Sequence, residues 1–320
     1  MYRFSLFLFL PFLFSSCQKI KEKIDYTDYS IQTQYDFTKA IFVGENAILI
    51  GGEHFNVSMI YQLEKNGQIN EIKIENEDAN KQLTCISQSG NGTLIAGGYN
   101  GKILYSLDSG VHWNFVQNDT WLDILGIDFY KNDSAYFVGG TPFHKGEIAS
   151  VDYLGKGERT AQQDFEFVVE DIRFLSNGIA YLCGYGAVMK SENRGKNWEF
   201  LDVKNDYFKA MAWANEQEGV VVGYEGSIVQ TQDGGRHWHT IRNGNNPLQT
   251  KMRWKDVANN GNALYVAVGE NGAVMMSTNR GKNWSSIRPF TKKDLNGVCF
   301  KNENECLLVG ESGSVFLLHF

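Results

Sequence analysis

The eight residues Ser106-Leu107-Asp108-Ser109-Gly110-Val111-His112-Trp113 recur three times more, with Ser or Thr, Asp or Asn, Gly and Trp at the same spacing. The later copies run from Ser191 to Trp198, from Thr231 to Trp238 and from Ser277 to Trp284. Successive tryptophans are 85, 40 and 46 residues apart, so we expect one degenerate copy between the first two. A repeat of roughly 40–45 residues that ends in a stereotyped turn is typical of β-propeller blades.

The signature predicts a self-contained hairpin turn. The Asp or Asn accepts hydrogen bonds from backbone N–H groups later in the turn, Gly supplies a left-handed backbone, and Trp packs back over the turn. Such turns resemble the Asp-box repeats of sialidases and sortilin-type receptors, which implies an outer location away from the binding face. We therefore expect a structural role for Asp108, Gly110, Trp113, Asn193, Gly195, Trp198, Asp233, Gly235, Trp238, Asn279, Gly281 and Trp284.

A second repeat sets the number of blades. The repeat is a pair of positions: a residue at the end of a predicted strand, and a glycine ten residues later that we call the marker glycine. The pair occurs seven times, and each pair encloses a predicted hairpin. The pairs are Phe42 and Gly52, Ser87 and Gly97, Phe129 and Gly139, Phe174 and Gly184, Trp213 and Gly223, Asn259 and Gly269, and Phe300 and Gly310. They predict an all-β fold: a single seven-bladed β-propeller with four antiparallel strands per blade.

The seventh blade lacks an outer strand, because the chain ends at Phe320 after the third strand of that blade. An exposed strand edge needs a partner. The segment 29–35 has the composition of a strand, and we predict that this N-terminal strand closes the last blade. The resulting domain prediction is a signal peptide at 1–16, a tether at 17–28 and the propeller at 29–320.

The N-terminal residues predict export and a lipid anchor. Arg3 precedes an apolar stretch, 4–14, that is too short for an ordinary transmembrane helix. The following Ser-Ser-Cys ends at Cys17 and resembles a bacterial lipobox, which implies lipidation of Cys17; ordinary signal-peptidase cleavage is the alternative. Gln18 after the cysteine, by resemblance to Gram-negative lipoproteins, points to the outer membrane of the cell envelope, on its periplasmic or its surface side.

Composition narrows the partner classes. The chain has a formal net charge of −7 and no basic stripe with interleaved aromatic residues, which argues against nucleic acid. Cys85, Cys183, Cys299 and Cys306 show no metal-ligand spacing, so we expect no metal and no cofactor. A hairpin turn at 301–304 would set Cys299 opposite Cys306, either as a disulfide or as two small apolar residues.

Candidate binding residues follow from propeller geometry, in which the loops between strands 2 and 3 share one face with the loops between blades. Residues just after the marker glycines predict an acidic arc with adjacent tyrosines: Glu53, Tyr185, Tyr224, Glu270 and Glu311. Inner-strand positions add Lys39, Asp128, Asp171, Arg173 and Asp256 to the channel wall. Such charge would suit a basic peptide or a cation, or it is the ordinary charge of a wet channel mouth.

Loop insertions offer a second set of candidates. Blade three carries an insertion at 141–145, and the loop 243–252 ends beside Arg253 and Trp254. Aromatic residues begin inner strands near the same face, namely Trp121, Tyr207 and Phe208. Exposed aromatic residues with a nearby Arg are typical of protein-binding surfaces. The alternative is that Trp254 packs between blades.

The cysteine motif, the seven blades and the Asp-box turns together resemble the photosystem II stability and assembly factor family of seven-bladed propellers. The resemblance covers residues 36–320 and is clearest over 82–116 and 167–317. It implies an assembly or scaffold role through protein contacts, with no catalytic residues. We therefore predict a lipid-anchored, non-catalytic scaffold that binds a protein partner in the envelope.

A glycoside hydrolase of the sialidase or xyloglucanase type is the competing prediction, since those enzymes share the turns. The Arg-Ile-Pro run of sialidases is absent, and blade one contains no arginine. A glycan-binding module is the third possibility, with Tyr185, Tyr224 and Trp254 as stacking platforms.

Overall fold

The structure, a computed structural model, describes residues 23–117, 121–131, 134–141, 145–151, 159–203 and 206–320. These residues form seven four-stranded antiparallel sheets, which are the blades of a propeller. The innermost strand of each blade packs against those of both neighbours, and blade seven packs against blade one. The predicted all-β, seven-bladed propeller is therefore confirmed.

Each blade is formed by consecutive strands, apart from the seventh. The strands are β1 Asp25–Asp28, β2 Asp36–Val43, β3 Asn46–Glu53, β4 Val57–Leu63, β5 Ile69–Glu71, β6 Leu83–Gln88, β7 Leu94–Gly98, β8 Lys102–Ser106, β9 Asn114–Gln117, β10 Asp123–Tyr130, β11 Ser134–Thr141, β12 Lys145–Val151, β13 Arg159–Phe165, β14 Val169–Phe174, β15 Ala180–Gly184, β16 Ala187–Ser191, β17 Glu199–Phe200, β18 Phe208–Trp213, β19 Gly219–Gly223, β20 Ile228–Thr231, β21 His239–Arg242, β22 Trp254–Asn259, β23 Tyr265–Gly269, β24 Val274–Ser277, β25 Ser285–Ser286, β26 Leu295–Asn302, β27 Glu305–Gly310 and β28 Val315–His319. Within the described ranges, four single-turn 3-10 helices lie at Glu77–Ala79, Tyr99–Gly101, Glu270–Gly272 and Glu311–Gly313. None of the described residues forms a helix long and apolar enough to cross a membrane.

The seventh blade is closed by the N-terminal strand, in the order β26-β27-β28-β1. The predicted position of that strand was wrong by four residues: β1 begins at Asp25, inside the segment assigned to the tether, and not at Tyr29. Tyr29 and Ile31 still donate backbone hydrogen bonds to Val315 and Gly313, at 2.9 and 3.0 Å, so they prolong the pairing. The propeller therefore includes residues from 25 onward. Cys17 and the signal segment 1–16 lie outside the described residues.

The core lies between the faces of adjacent blades. Ile95 and Ile103 of blade two pack with Ile127 and Phe137 of blade three, and each of the four is at most 1% exposed. The second strand of every blade is almost wholly buried, as in the Gly-Val-Val-Val-Gly run of β19. Burial of aliphatic side chains between sheets is the main stabilising contribution to such a ring.

The marker glycine repeats because a side chain has no room at its position. An added Cβ would lie 1.8 Å from the carbonyl oxygen of Asp123 at Gly139, and 2.0 Å from that of Val168 at Gly184. The register corrects two markers: the equivalent residues are Gly51, opposite Phe37, and Gly98, opposite Leu83, and not Gly52 and Gly97.

The Asp-box turns have the predicted structure. In the first box Asp108 Oδ1 accepts the His112 N–H at 2.9 Å, Ser106 Oγ accepts the Gly110 N–H at 2.9 Å, and Trp113 Nε1 donates to the Gly110 carbonyl at 3.0 Å. The other three boxes repeat these bonds within 0.1 Å. The boxes also join blades, since an added Cβ on Gly110 would meet Ile48 of the preceding blade at 2.8 Å.

The four described cysteines are free thiols. Cys299 and Cys306 do not face each other, because a bulge between Phe300 and Asn302 shifts the register and pairs Cys306 with Phe300. Cys306 is buried in the core beside Val298 and Leu308. Burial raises the pKa of all four thiols, that of Cys85 to about 12, so each remains an uncharged packing residue.

Candidate binding surface at the mouth of the ring

Two faces of the ring differ in what they carry. The loops between strands 2 and 3 of each blade and the loops between blades lie on one face, which we call the mouth surface. The hairpins between strands 1 and 2 and the four Asp boxes lie on the opposite face, the Asp-box face. The antiparallel order within every blade requires this division.

Every inner strand has a β-bulge at the same position, just below the mouth. A bulge redirects one side chain without ending the strand. The seven extra residues are Thr38, Thr84, Leu125, Glu170, Lys209, Lys255 and Asn296. The sequence varies freely at this position although the backbone repeats.

Several bulge side chains bond to the next blade around the ring. The Thr38 hydroxyl donates to the Leu83 carbonyl at 2.7 Å. The side-chain amide of Asn296 donates to the Phe37 carbonyl at 2.9 Å. Lys255 Nζ reaches Asp294 Oδ2 at 2.8 Å and Asn296 Oδ1 at 2.9 Å. These contacts join blades one to two, six to seven and seven to one.

The bulge residues surround a cavity of about 420 Å³ in the mouth surface. Its lining includes Tyr99, Tyr207 and Tyr224, together with Lys209 and Lys255. A second cavity of about 410 Å³ at the other end of the axis shares Lys39, Ile86 and Arg173 with the first. The two cavities therefore meet at a narrow waist in the channel.

The predicted channel aspartates bond to neighbouring blades close to this waist, where Asp171 lines the mouth cavity and Asp256 lines the second cavity. Asp128 accepts the Phe174 N–H at 2.8 Å, Asp171 the Met211 N–H at 3.0 Å, and Asp256 the Val298 N–H at 2.9 Å. In each case the donor belongs to the inner strand of the following blade. Asp128, Asp171 and Asp256 are thus structural links between blades.

Two basic side chains balance part of this charge. Lys39 Nζ crosses the channel to Asp256 Oδ1 at 2.6 Å, and Arg173 Nη2 lies 3.5 Å from Asp171 Oδ1. Burial still raises the pKa of both Asp128 and Asp171 above the ordinary value, although Arg173 acts in the opposite direction. The waist is consequently a closed set of ion pairs and backbone hydrogen bonds.

Tyr207 lies at the centre of one wall of the mouth cavity. Its hydroxyl donates to Glu170, which is only 7% exposed, and Lys209 Nζ lies 2.6 Å from the same carboxylate and 4.8 Å from the centre of the Tyr207 ring. Burial, together with the Glu170 charge, raises the pKa of Tyr207. Blades four and five hold this ring in a fixed orientation.

The Tyr207 ring belongs to a row of contacts along blades four to six. Its centroid is 5.5 Å from that of Tyr185 and 6.4 Å from that of Tyr224. The Arg253 guanidinium covers the Tyr224 ring at 4.7 Å and lies 3.4 Å from Glu270. Tyr185, Tyr224, Arg253 and Glu270, all predicted binding residues, therefore share one wall of the mouth surface.

The acidic arc is less acidic than the sequence implied. Glu270 pairs with Arg253, and Glu311 Oε2 accepts the Asp294 N–H at 3.1 Å. Glu53 lies opposite Val57 at the end of β3. Because the marker glycine of blade one is Gly51, the residue that corresponds to Glu270 and Glu311 is Gly52, and Glu53 lies one residue further on. Glu270 thus shares its part of the mouth surface with a basic side chain, and Glu311 is held by a backbone donor.

Two aromatic predictions have opposite outcomes. Trp254 is fully buried between blades and donates to the Gly226 carbonyl at 3.2 Å, so its assignment to the binding surface was wrong. Trp121, in contrast, is 73% exposed. Leu248, in the loop between blades five and six, is 94% exposed, whereas 142–144 of the blade-three insertion lie outside the described residues.

The sequence predictions missed Tyr99. They placed Tyr207 and Phe208 near the mouth; Tyr207 lines the mouth cavity, whereas Phe208 is fully buried. The ring centroids of Tyr99 and His54 are 3.9 Å apart with the rings tilted, and those of His54 and Phe55 are 4.2 Å apart, so the three rings form an aromatic corner on blades one and two. If Gly98 is taken as the marker glycine of blade two, the residue after it is Tyr99, which then occupies the same position in its blade as Tyr185 and Tyr224. Within the described ranges, no group of three or more His, Cys, Asp or Glu side chains has a geometry that could hold a metal ion.

Comparison with known proteins gave one family and many structures. The family model for photosynthesis system II assembly factor YCF48 matches residues 190–316. No curated protein sequence matches the chain.

Solved structures of propellers cover nearly the whole chain. "YCF48 bound to D1 peptide" is 15% identical, with 94% of this chain and 100% of that chain covered and a TM-score of 0.73. YCF48 from Cyanidioschyzon merolae is 13% identical over 92% and 98%, with a TM-score of 0.71. A virginiamycin B lyase from Staphylococcus aureus is 11% identical over 92% and 100%, with a TM-score of 0.74.

At these identities the structural matches show the fold alone, and that fold serves both assembly factors and a lyase. The sequence match runs from the Asp box of blade four through blades five and six to the start of β28 in blade seven. The chain is therefore a seven-bladed propeller similar to photosynthesis system II assembly factor YCF48, whose family model matches residues 190–316.

Proposed function

We propose that this chain is a non-catalytic scaffold of the cell envelope that binds an extended segment of a partner protein on its mouth surface. A lipid on Cys17 would hold it at the outer membrane. The binding wall would be the row Tyr185, Tyr207, Tyr224 and Arg253, beside the mouth cavity.

The distribution of exposed apolar side chains carries this proposal. Among the described residues, four of the nine large exposed hydrophobic side chains lie in loops of the mouth surface: Phe55, Trp121, Tyr185 and Leu248. Exposed aromatic residues around a cavity, with Arg and Lys alongside, are the composition of a protein-binding hot spot. Leu107 and Val111, on the Asp-box face, belong to a single turn.

Similarity to YCF48 supports a peptide as the ligand. The solved YCF48 complex contains a D1 peptide, so a propeller of this fold binds a peptide. The mouth row offers the required chemistry: rings for apolar side chains, and hydroxyl and guanidinium donors for backbone carbonyl groups.

The channel geometry argues against the glycan alternatives. Trp254 is buried, so one of the three predicted stacking platforms is lost, and Arg253 covers one face of a second, Tyr224. Arg173 lies at the waist and Arg253 lies at the rim, and each pairs with a carboxylate of its own blade. The two arginines therefore do not converge on one substrate carboxylate.

The test is capture of partners from detergent-solubilised membranes with two matched double variants of the full chain. Trp121→Ala with Tyr185→Ala removes two exposed side chains from the mouth surface. Leu107→Ala with Val111→Ala removes two from the Asp-box face. We expect the first variant to weaken capture at least about tenfold and the second to leave it unchanged.

Equal capture by both variants, or loss only in the Asp-box variant, would contradict the proposal. Release of aryl groups from a panel of aryl glycosides by the purified chain would contradict the non-catalytic part. For the anchor, Cys17→Ser should move the chain from the membrane fraction to the soluble fraction.

A further inference from the structure

The direction of β1 shows from which face the N-terminal segment leaves the ring. Asp25 pairs with His319 and Asp28 pairs with Phe316, so β1 runs antiparallel to β28. β28 begins at the mouth surface, after the Glu311–Gly313 turn, and ends at the Asp-box face. The chain therefore enters the propeller at the Asp-box face and reaches the mouth surface only after Asp28.

Side-chain contacts place the residues before β1 on the same face. Lys23 and Ile24 line a cavity of about 520 Å³ whose other walls include Asn260, Asn304 and His319. Asn260 and Asn304 lie in the strand 1–2 turns of blades six and seven, on the Asp-box face. Ile24 also packs against the core cluster of Leu264, Phe316 and Leu318.

The length of the tether compared with the height of the ring limits how an anchored propeller can stand. Seven residue steps separate Cys17 from Ile24. At about 3.6 Å for each fully extended residue, they span at most about 25 Å. The eight residues of β2 make seven steps of about 3.3 Å, which gives the ring a height of about 23 Å.

A mouth surface resting on the membrane would require the tether to run almost fully extended up the whole side of the ring. Extension of this kind costs conformational entropy for each residue that it orders. With the Asp-box face toward the membrane, the distance to be bridged is much shorter than the reach of the tether.

We propose that the mouth surface is turned away from the membrane that holds residue 17. Its partner is then an extramembrane protein segment that stands clear of the bilayer by at least about the height of the ring. A membrane-embedded segment or a lipid surface does not fit. This inference rests on the anchor of the proposed function and adds the orientation of the binding surface.

The experiment measures energy transfer from a dye on the propeller to acceptor dyes at the surface of the vesicles that hold the lipidated full chain. The dye is attached through a non-natural amino acid at Leu248, on the mouth surface, or at Leu107, on the Asp-box face. We expect several-fold stronger transfer from position 107 than from position 248. Equal transfer, or stronger transfer from position 248, would overturn the proposal.

A spacer variant tests the role of tether length. A long Gly-Ser insertion between Glu22 and Lys23 removes the limit on reach, so the contrast between the two dye positions should shrink. An unchanged contrast would overturn the tether argument.

Failure of the anchor is detected separately. If the natural chain does not bind membranes, the anchoring proposal fails, and a chain that begins at Cys17 is coupled through that thiol to a maleimide lipid. The same dye contrast then decides the orientation.

Discussion

The two faces of this ring are built in opposite ways. On the Asp-box face the same side chains make the same hydrogen bonds in four blades, with distances that agree within 0.1 Å. At the mouth the backbone repeats, but the bulge residue changes from blade to blade, from Thr38 to Leu125 to Glu170 to Lys209. Repetition of a side chain indicates a structural role, whereas variation on a repeated backbone leaves room for binding.

The largest effect should come from a repeated residue that lies near the mouth. Gly184→Ala would place a Cβ 2.0 Å from the Val168 carbonyl oxygen, and we expect more than about 4 kcal/mol of lost stability or failure to fold. Gly186→Ala is the control, because its backbone is left-handed (φ +70°) but the space around it is open. It should cost only about 1–2 kcal/mol in urea unfolding. Equal losses would show that crowding does not explain the repeat.

Two tryptophans near the mouth should separate packing from binding. Trp254→Ala removes a fully buried ring and should cost about 3–5 kcal/mol. Trp121→Ala removes a ring that is 73% exposed and should change stability by less than about 0.5 kcal/mol while it weakens partner capture. Thermal unfolding and capture are measured on both. Normal partner capture by Trp121→Ala would remove this residue from the binding surface.

An Asp-box substitution should affect stability alone. Thr231→Ala leaves the buried Gly235 N–H without its acceptor at 2.9 Å and should cost about 1–3 kcal/mol, with capture unchanged. Thr231→Ser is the matched control, since serine occupies this position in the other three boxes, and it should retain most of the stability. Lost capture in a folded Thr231→Ala chain would break the division between the faces.

The smallest effect should be a pH dependence confined to two boxes. Burial acts to raise the pKa of Asp108 and Asp233, but hydrogen bonds from His112 and His237 and from the box hydroxyl lower each to about 2. A depressed folded pKa contributes stability above the unfolded value of 3.8, and this contribution is lost as pH falls toward 2.

The double variant Asp108→Asn with Asp233→Asn lacks these two carboxylates and copies the asparagine of the other boxes. Urea midpoints of the natural chain and this variant should therefore converge between about pH 5 and pH 2. The difference should be small because both aspartates are partly exposed. A difference that does not depend on pH would contradict the assigned cause.

The parts of the fold that could be predicted from sequence are those that depend on local chemistry. An Asp box is complete within eight residues, so its hydrogen bonds and its turn follow from the motif. The closing strand could not be located in this way, because β1 is exposed or half-buried along its whole length and has no apolar alternation. Its position is set by pairing with β28, at the other end of the chain.

The site was harder to predict for a related reason. Gly97 and Gly98 are adjacent, so a shift of one residue hid Tyr99, and the bulges that position Glu170 and Lys209 leave no sequence signal. The sequence also does not indicate which blade supplies the hydrogen-bond donor to a given carboxylate. Asp128, Asp171 and Asp256 resemble channel ligands until their backbone donors are known.

The pairing of β1 with β28 has a consequence for how the molecule is made. Asp25 and His319 are close in space but nearly 300 positions apart along the chain, so β1 is synthesised long before its partner. Six blades can form during synthesis, but the seventh stays open until β28 has been made. Contacts of such long range form slowly. During that interval the unpaired edge of β28 is the surface most open to wrong pairing with another chain.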